Sequence, residues 1–173
     1  KHQSIQKFVG FSIHDFKGRE RPVTIKEYCS NLTLLDILTN KNQIQSDPKW
    51  NSTNKLIIIY GIASGMSYLY KHDIEHEDLN PKNVLIDEKF QPKIAEIGHY
   101  TLPQNLRNAL SRSSIHINKT HIYFSPEIFR GESRKEKSEV YSFGKIIYEI
   151  ITNKIDMKNT NKIFSNHLST FDD

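Results

Sequence analysis

The stretch His76-Glu77-Asp78-Leu79-Asn80-Pro81-Lys82-Asn83 decides how this chain is read. It sets a carboxylate, Asp78, five residues before a carboxamide, Asn83. Pro81 lies between them and forbids a regular helix, because its ring removes a backbone donor and crowds the preceding turn. A rigid, non-helical loop of this kind can aim an acceptor at a substrate hydroxyl and an amide oxygen at a cation.

On the N-terminal side, Ser52 or Thr53 is placed to cap a long helix running to about His72. Its apolar stripe is Ile59, Ile62, Ala63, Met66 and Leu69 or Tyr70, at the i, i+3, i+4, i+7 spacing of one helical face. Before it, Lys41 to Asn51 is a polar surface loop with Asp47-Pro48, and Trp50 at its end reads as an anchor packing the loop down. Leu32, Leu35, Ile37 and Leu38 mark a short helix ending near Asn40. Ile5 to Ile13 and Pro22 to Cys29 are β-rich runs, separated by the charged turn His14 to Arg21 with Gly18, and read as an antiparallel pair.

On the C-terminal side, Val84 to Asp87 and Lys93 to Glu96 form two short strands joined by the turn Glu88 to Pro92. A long loop without clear periodicity follows, from Gly98 to about Phe124; loops of that length inside a compact domain usually carry function. Ser138 is expected to cap a second strong helix with the stripe Val140, Phe143, Gly144, Ile147, Ile150 and Ile151, apolar enough for a central, largely buried position. From Asn153 onward the chain is Asn/Lys-rich with little periodicity.

The 173 residues, 36% hydrophobic and 25% charged, suit one globular domain with a sizeable core. No apolar run approaches the length of a membrane span, and the start carries no signal-peptide pattern. The one cysteine, Cys29, excludes an internal disulfide and fits a reducing, cytoplasmic compartment. The net charge of +4 is spread along the chain, and its densest run, Arg134-Lys135-Glu136-Lys137, is broken by an acid and lacks interleaved aromatics. Such a run reads as a solvated loop, and no nucleic-acid partner is expected. The histidines are scattered without carboxylate or Cys at metal-ligand spacing, so no zinc or nucleophile constellation competes with the loop at 76–83.

That loop resembles the catalytic loop of the eukaryotic protein kinases, H-R-D-L-x-x-x-N. Other landmarks fall in order around it. Glu27-Tyr28-Cys29 resembles the hinge whose backbone holds adenine, Glu96-Ile97-Gly98 stands where the family has D-F-G, and Ser125-Pro126-Glu127 where it has A-P-E. Glu139-Val140-Tyr141-Ser142-Phe143-Gly144 is similar to D-V-Y-S-F-G, a wording common in tyrosine-kinase-like families. The resemblance implies an α+β, protein-kinase-like fold, mostly the helical C-lobe with the last strands of the N-lobe. Residues 1–29 would be N-lobe strands and hinge, 30–155 the C-lobe core and 156–173 a tail. Opening in mid-pattern without an initiator Met, the chain reads as an excerpt: the Gly-rich phosphate loop and the strand Lys are expected before Lys1, and further helices after Asp173.

By the same resemblance the parent activity is ATP-dependent phosphoryl transfer to protein Ser/Thr with Mg²⁺. Asp78 would accept the substrate proton, Asn83 and Glu96 would ligate metal, and Glu27, Cys29 and Leu85 would hold the nucleotide. The chain departs from the pattern around this one site. Glu77 replaces the Arg that pairs with activation-loop phosphate and would repel it; Ser111, Ser113, Ser114 and Thr120 lie on that loop. Asn80 replaces a Lys, and Glu75 an apolar residue. Glu96 replaces the metal-binding Asp, moving the carboxylate out by on the order of 1 Å, against the strict octahedral demand of Mg²⁺. Lys26 stands at the back of the adenine pocket, where its ammonium must reach toward Glu96 or point to solvent. His76 reads as a packing residue. These departures predict a pseudokinase or severely impaired kinase acting through protein partners, with weak or absent ATP and Mg²⁺ binding; the alternative is a divergent serine/threonine kinase, active in its full-length context.

Overall fold

The computed structural model describes residues 1–29, 32–40, 47–97, 121–130 and 136–155. The activation-loop serines, Thr120 and most of the expected loop and tail lie outside these residues.

Strands β1 (Phe8–His14) and β2 (Glu20–Lys26) pair antiparallel, as their alternating β-branched and aromatic residues require. The turn between them is organised by Asp15. Its carboxylate accepts from the backbone N–H groups of Lys17 and Arg19, at 2.8 and 3.0 Å, while Gly18 supplies the left-handed residue at φ 72°. Helix α1 (Leu34–Thr39) opens on a reciprocal cap. Thr33 Oγ1 accepts from the Asp36 N–H, and the Asp36 carboxylate accepts from the Thr33 N–H. Leu34, Ile37 and Leu38 are its buried face, and the chain leaves the helix at Asn40.

Helix α2 (Ser52–Tyr70) starts where expected, but its cap is Asn51, whose side chain accepts from the Asn54 N–H at 3.0 Å; neither Ser52 nor Thr53 has that task. Trp50 is buried and donates from Nε1 to Asn153, which ties the entry of α2 to the residue just after the helix Glu136–Thr152. The buried face of α2 is Ile58, Gly61, Ile62, Gly65, Met66 and Leu69, so the expected Ile59 and Ala63 sit only at its margin. The rotation has a physical cause. β3 (Val84–Ile86) and β4 (Pro92–Ile94) pair antiparallel and press against α2 at its two core glycines. A Cβ at Gly61 would stand 2.4 Å from Pro92 Cγ, and one at Gly65 2.7 Å from Ile94 Cδ1.

Gly61→Ala should therefore destabilise the protein by about 1–3 kcal/mol, because a proline ring cannot yield as a flexible side chain does and overpacking outweighs the gain in helix propensity. Gly144→Ala, with nothing within 4 Å of the new methyl group, should stabilise by up to about 1 kcal/mol. Urea titrations of the two variants test the sign of each.

The N-terminal segment lies along β4. Ile94 donates its N–H to Ser4 O and accepts from the Gln6 N–H, both at 2.8 Å, with Ile5 bridged to Ile94 in parallel. Thr33 bridges Leu85 on the other side of the pair. The core gathers Leu34, Leu38, Ile58, Ile62, Val84, Ile86 and Ile94 with Ile146 and Ile150.

A short helix, α3 (Pro126–Phe129), precedes α4 (Glu136–Thr152). Helix α4 begins two residues before Ser138, which is not a cap; its hydroxyl lies 3.3 Å from Glu127 Oε1 and donates to it. The face of α4 turned inward carries Ser138, Glu139, Ser142, Ile146, Glu149 and Ile150. Val140, Gly144 and Ile151, expected inside, are exposed, and Phe143 and Ile147 are half-buried. A purely apolar stripe was the wrong template, since the inward face of α4 is where loop backbones find their polar partners.

Candidate functional site

The loop at 76–83 is built from its own side chains. His76 is fully buried, and its Nδ1 accepts from the Asp78 N–H at 3.3 Å. Burial pulls its pKa from 6.5 down to about 4, against backbone carbonyls at Ala95 and His76 that favour the charged ring. Glu77 adopts a left-handed φ of 70°, and its N–H points to the Glu139 carboxylate of α4, which also accepts from the Tyr70 hydroxyl at 2.8 Å. Burial raises the pKa of Glu139, and these donors oppose that rise.

Asp78 and Asn83 meet. Asn83 Nδ2 donates to the Asp78 carbonyl at 2.8 Å and to its carboxylate at 3.0 Å. With the amide nitrogen committed, the amide oxygen of Asn83 is the atom able to ligate a cation. Asn80 is buried and fully employed: its oxygen accepts from the Lys82 N–H and its nitrogen donates to the Asp78 carbonyl, each at 2.9 Å. It caps the turn Pro81–Asn83 and braces Asp78, so it is a structural part and no empty place of a lysine.

The Ala95 N–H donates to the Asn83 carbonyl at 2.9 Å, which brings Glu96 beside the loop. Glu96 sits at φ 58°, and its carboxylate is taken by Lys26, with Nζ 2.6 Å from Oε1. Of the two orientations open to Lys26 in the sequence, the structure has the one that neutralises Glu96. Ile97 packs half-buried against the core. Among the described residues no group of three or more His, Cys, Asp and Glu side chains is gathered for a metal. Mg²⁺ normally serves this family, yet the carboxylate offered to it here already holds an ammonium group. As arranged, a metal at that carboxylate would have to displace or face the Lys26 ammonium.

The expected nucleotide-holding residues are close in the fold but unequal in kind. Leu85 lies half-buried in β3, opposite Lys93. Glu27 exchanges bonds with Lys7: its N–H donates to the Lys7 carbonyl at 2.8 Å, and its carboxylate accepts from the Lys7 N–H at 2.9 Å. Lys93 adds an ion pair at 3.4 Å. Cys29 is half-buried, its thiol pKa raised by burial and then by Glu27, while the intervening Tyr28 is exposed.

Glu139, singled out in the sequence only as the start of a motif, proves to hold the loop. Glu149 escaped the sequence reading: it is fully buried, and its two oxygens accept from the Tyr123 hydroxyl at 3.1 and 2.9 Å. Burial first, and then the neighbouring Glu149 charge, push the Tyr123 hydroxyl far above its usual range. Lys145 donates to the Ile122 carbonyl and covers the Tyr123 ring, which fastens the segment before α3 to α4. A signal existed: residues 139, 142, 146 and 149 follow helical spacing, so two acids share a stripe with a buried isoleucine.

The protein tyrosine and serine/threonine kinase family profile matches residues 1–167. A receptor-like kinase of Arabidopsis thaliana is 32% identical over 159 residues, covering 89% of this chain and 24% of its own length. An LRR receptor-like serine/threonine-protein kinase of Oryza sativa subsp. japonica is 30% identical over 177 residues, covering 100% of this chain and 17% of its own. A calmodulin-binding receptor-like cytoplasmic kinase of Arabidopsis thaliana is 29% identical over 156 residues, 88% of this chain and 36% of its own. The chain thus spans well under half the length of each of these relatives. With the motifs in order, the α+β architecture in place and the match running over residues 1–167, the chain belongs to the protein kinase family.

Proposed function

We propose that this is a degenerate protein kinase domain, a pseudokinase or severely impaired kinase, that serves signalling through protein binding. The observation that carries this reading is Lys26 on Glu96 at 2.6 Å. The pair is half-exposed and contributes little to stability, on the order of 0–1 kcal/mol. Its effect on a metal is larger. A divalent ion about 4 Å from the ammonium is repelled by roughly 2 kcal/mol even at the dielectric of water, and the pair must also be broken. Together these weaken the metal by about a hundredfold. The family uses ATP with Mg²⁺; here both are proposed to bind weakly or not at all. The division into 1–29, 30–155 and 156–173 is proposed from the family resemblance. No described helix is long and apolar enough to cross a membrane. A cytoplasmic location is proposed from the single thiol and the name of one relative. Protein partners are proposed from the family resemblance, and the absence of a nucleic-acid partner from the dispersed charge.

The second reading is a divergent serine/threonine kinase, favoured by the Asp78–Asn83 geometry, which keeps a carboxylate and a carboxamide in one place. The test is transfer of labelled phosphate from ATP to a generic protein substrate by the full-length protein, with Asp78→Asn as the blank. Signal no greater than the blank is expected. Asp78-dependent transfer would replace the first reading by the second.

A further inference from the structure

The base end of the site contains a donor that the nucleotide reading leaves unexplained. Gln6 Nε2 donates to the Glu27 carbonyl at 3.0 Å. We propose that Gln6 is a built-in occupant of the base-binding edge, its carboxamide taking the hinge carbonyl that would receive the exocyclic amine of an aminopurine. The inference rests on Glu27–Cys29 being the adenine-holding segment. It adds the residue that decides whether a base can enter there.

Both partners are fixed from outside. The Gln6 backbone is bonded to β4 through the Ile94 carbonyl at 2.8 Å, and Ser4, two residues earlier, is buried against the Gly65 position of α2. Glu27 is held by Lys7 through two bonds and by Lys93 through a third contact. The Gln6 side chain therefore spans a gap between two segments that are each held in place. A conjugated –NH₂ on a planar carboxamide is chemically the same donor as a purine amine, so the two compete for one lobe of one oxygen. An apolar side chain at position 6 would leave that lobe open.

Adenosine, which has the exocyclic amine, and inosine, which lacks it, separate this from a simple gain of space. In calorimetric titrations of the full-length protein, Gln6→Val should bind adenosine roughly three- to tenfold tighter than the unaltered protein, the worth of one neutral hydrogen bond. Inosine binding should be unchanged. If Gln6→Val melts below the assay temperature, Gln6→Leu, closer in volume, takes its place. Equal adenosine affinity in variant and unaltered protein overturns the proposal, and so does an equal gain for inosine. Phosphate transfer is read separately. Asp78-dependent transfer sinks the degenerate-kinase reading and leaves the adenosine comparison to judge Gln6. An unchanged comparison without transfer sinks the Gln6 proposal alone.

Discussion

Lys26→Met combined with Glu96→Asp should tighten Mg²⁺ binding in the presence of ATP by more than about a hundredfold in the full-length protein, with Lys26→Met alone supplying most of that gain and Glu96→Asp alone little of it. The first change removes a positive charge that repels the ion and occupies its ligand at 2.6 Å. The second withdraws the carboxylate by one methylene, toward the geometry an octahedral ion demands. It also suits the backbone, since the left-handed φ of 58° at this position is adopted more readily by Asp than by Glu. The two are unequal: an Asp still facing Lys26 stays paired and gains little, whereas a Glu freed of Lys26 escapes the repulsion and stays misplaced only by its extra methylene. Groups acting as a unit give such non-additive results. Thermal melting with ATP present and Mg²⁺ varied is a suitable readout, because a ligand confined to the folded state must stabilise it. A gain from the pair equal to the product of the two single gains would show that the ammonium and the side-chain length act independently. Asn80→Lys is no part of this repair. It would bury an ammonium where a carboxamide caps the turn and braces the Asp78 carbonyl, and should destabilise the loop.

The parts of this molecule legible in its sequence are those governed by local rules. Pro81 with the flanking Asp and Asn declares the loop, β-branched alternation declares the paired strands, and Ile37 and Leu38 among the clustered apolar residues declare the short helix. The meeting of Lys26 with Glu96 was one of two open orientations, because residues 70 apart in sequence meet only through the tertiary fold. Two further features do not show up as hydrophobicity at all. Gly61 and Gly65 face the core for want of a side chain, so an apolar stripe passes over them. Glu139 and Glu149 face it because their oxygens hold the Glu77 N–H and the Tyr123 hydroxyl, a task that turns an acid inward. Gln6 belongs with these, an ordinary polar residue until its partner across the fold is known.

Acid should unfold the protein along a limb to which His76 contributes about 3 kcal/mol. The ring is buried, and its pKa in the folded state is about 4 against an ordinary value of 6.5. The sign follows from linkage. Between those two values the unfolded chain binds a proton that the folded one refuses. Stability is therefore fully present above pH 6.5 and is lost as pH falls toward 4, by about 1.4 kcal/mol for each pH unit. Glu139 acts in the opposite direction. Its raised pKa means that the folded state takes up a proton before the unfolded chain does, which favours folding as the solution becomes more acid. Replacing His76 by Gln separates the two. Gln keeps an acceptor for the Asp78 N–H and stays neutral throughout, while leaving Glu139 unchanged. Urea midpoints taken at intervals from neutrality to pH 4 should fall steeply for the unaltered protein and much less for His76→Gln. Parallel acid limbs in the two proteins would mean that the buried ring is charged without penalty, and the desolvation account of this loop would be wrong.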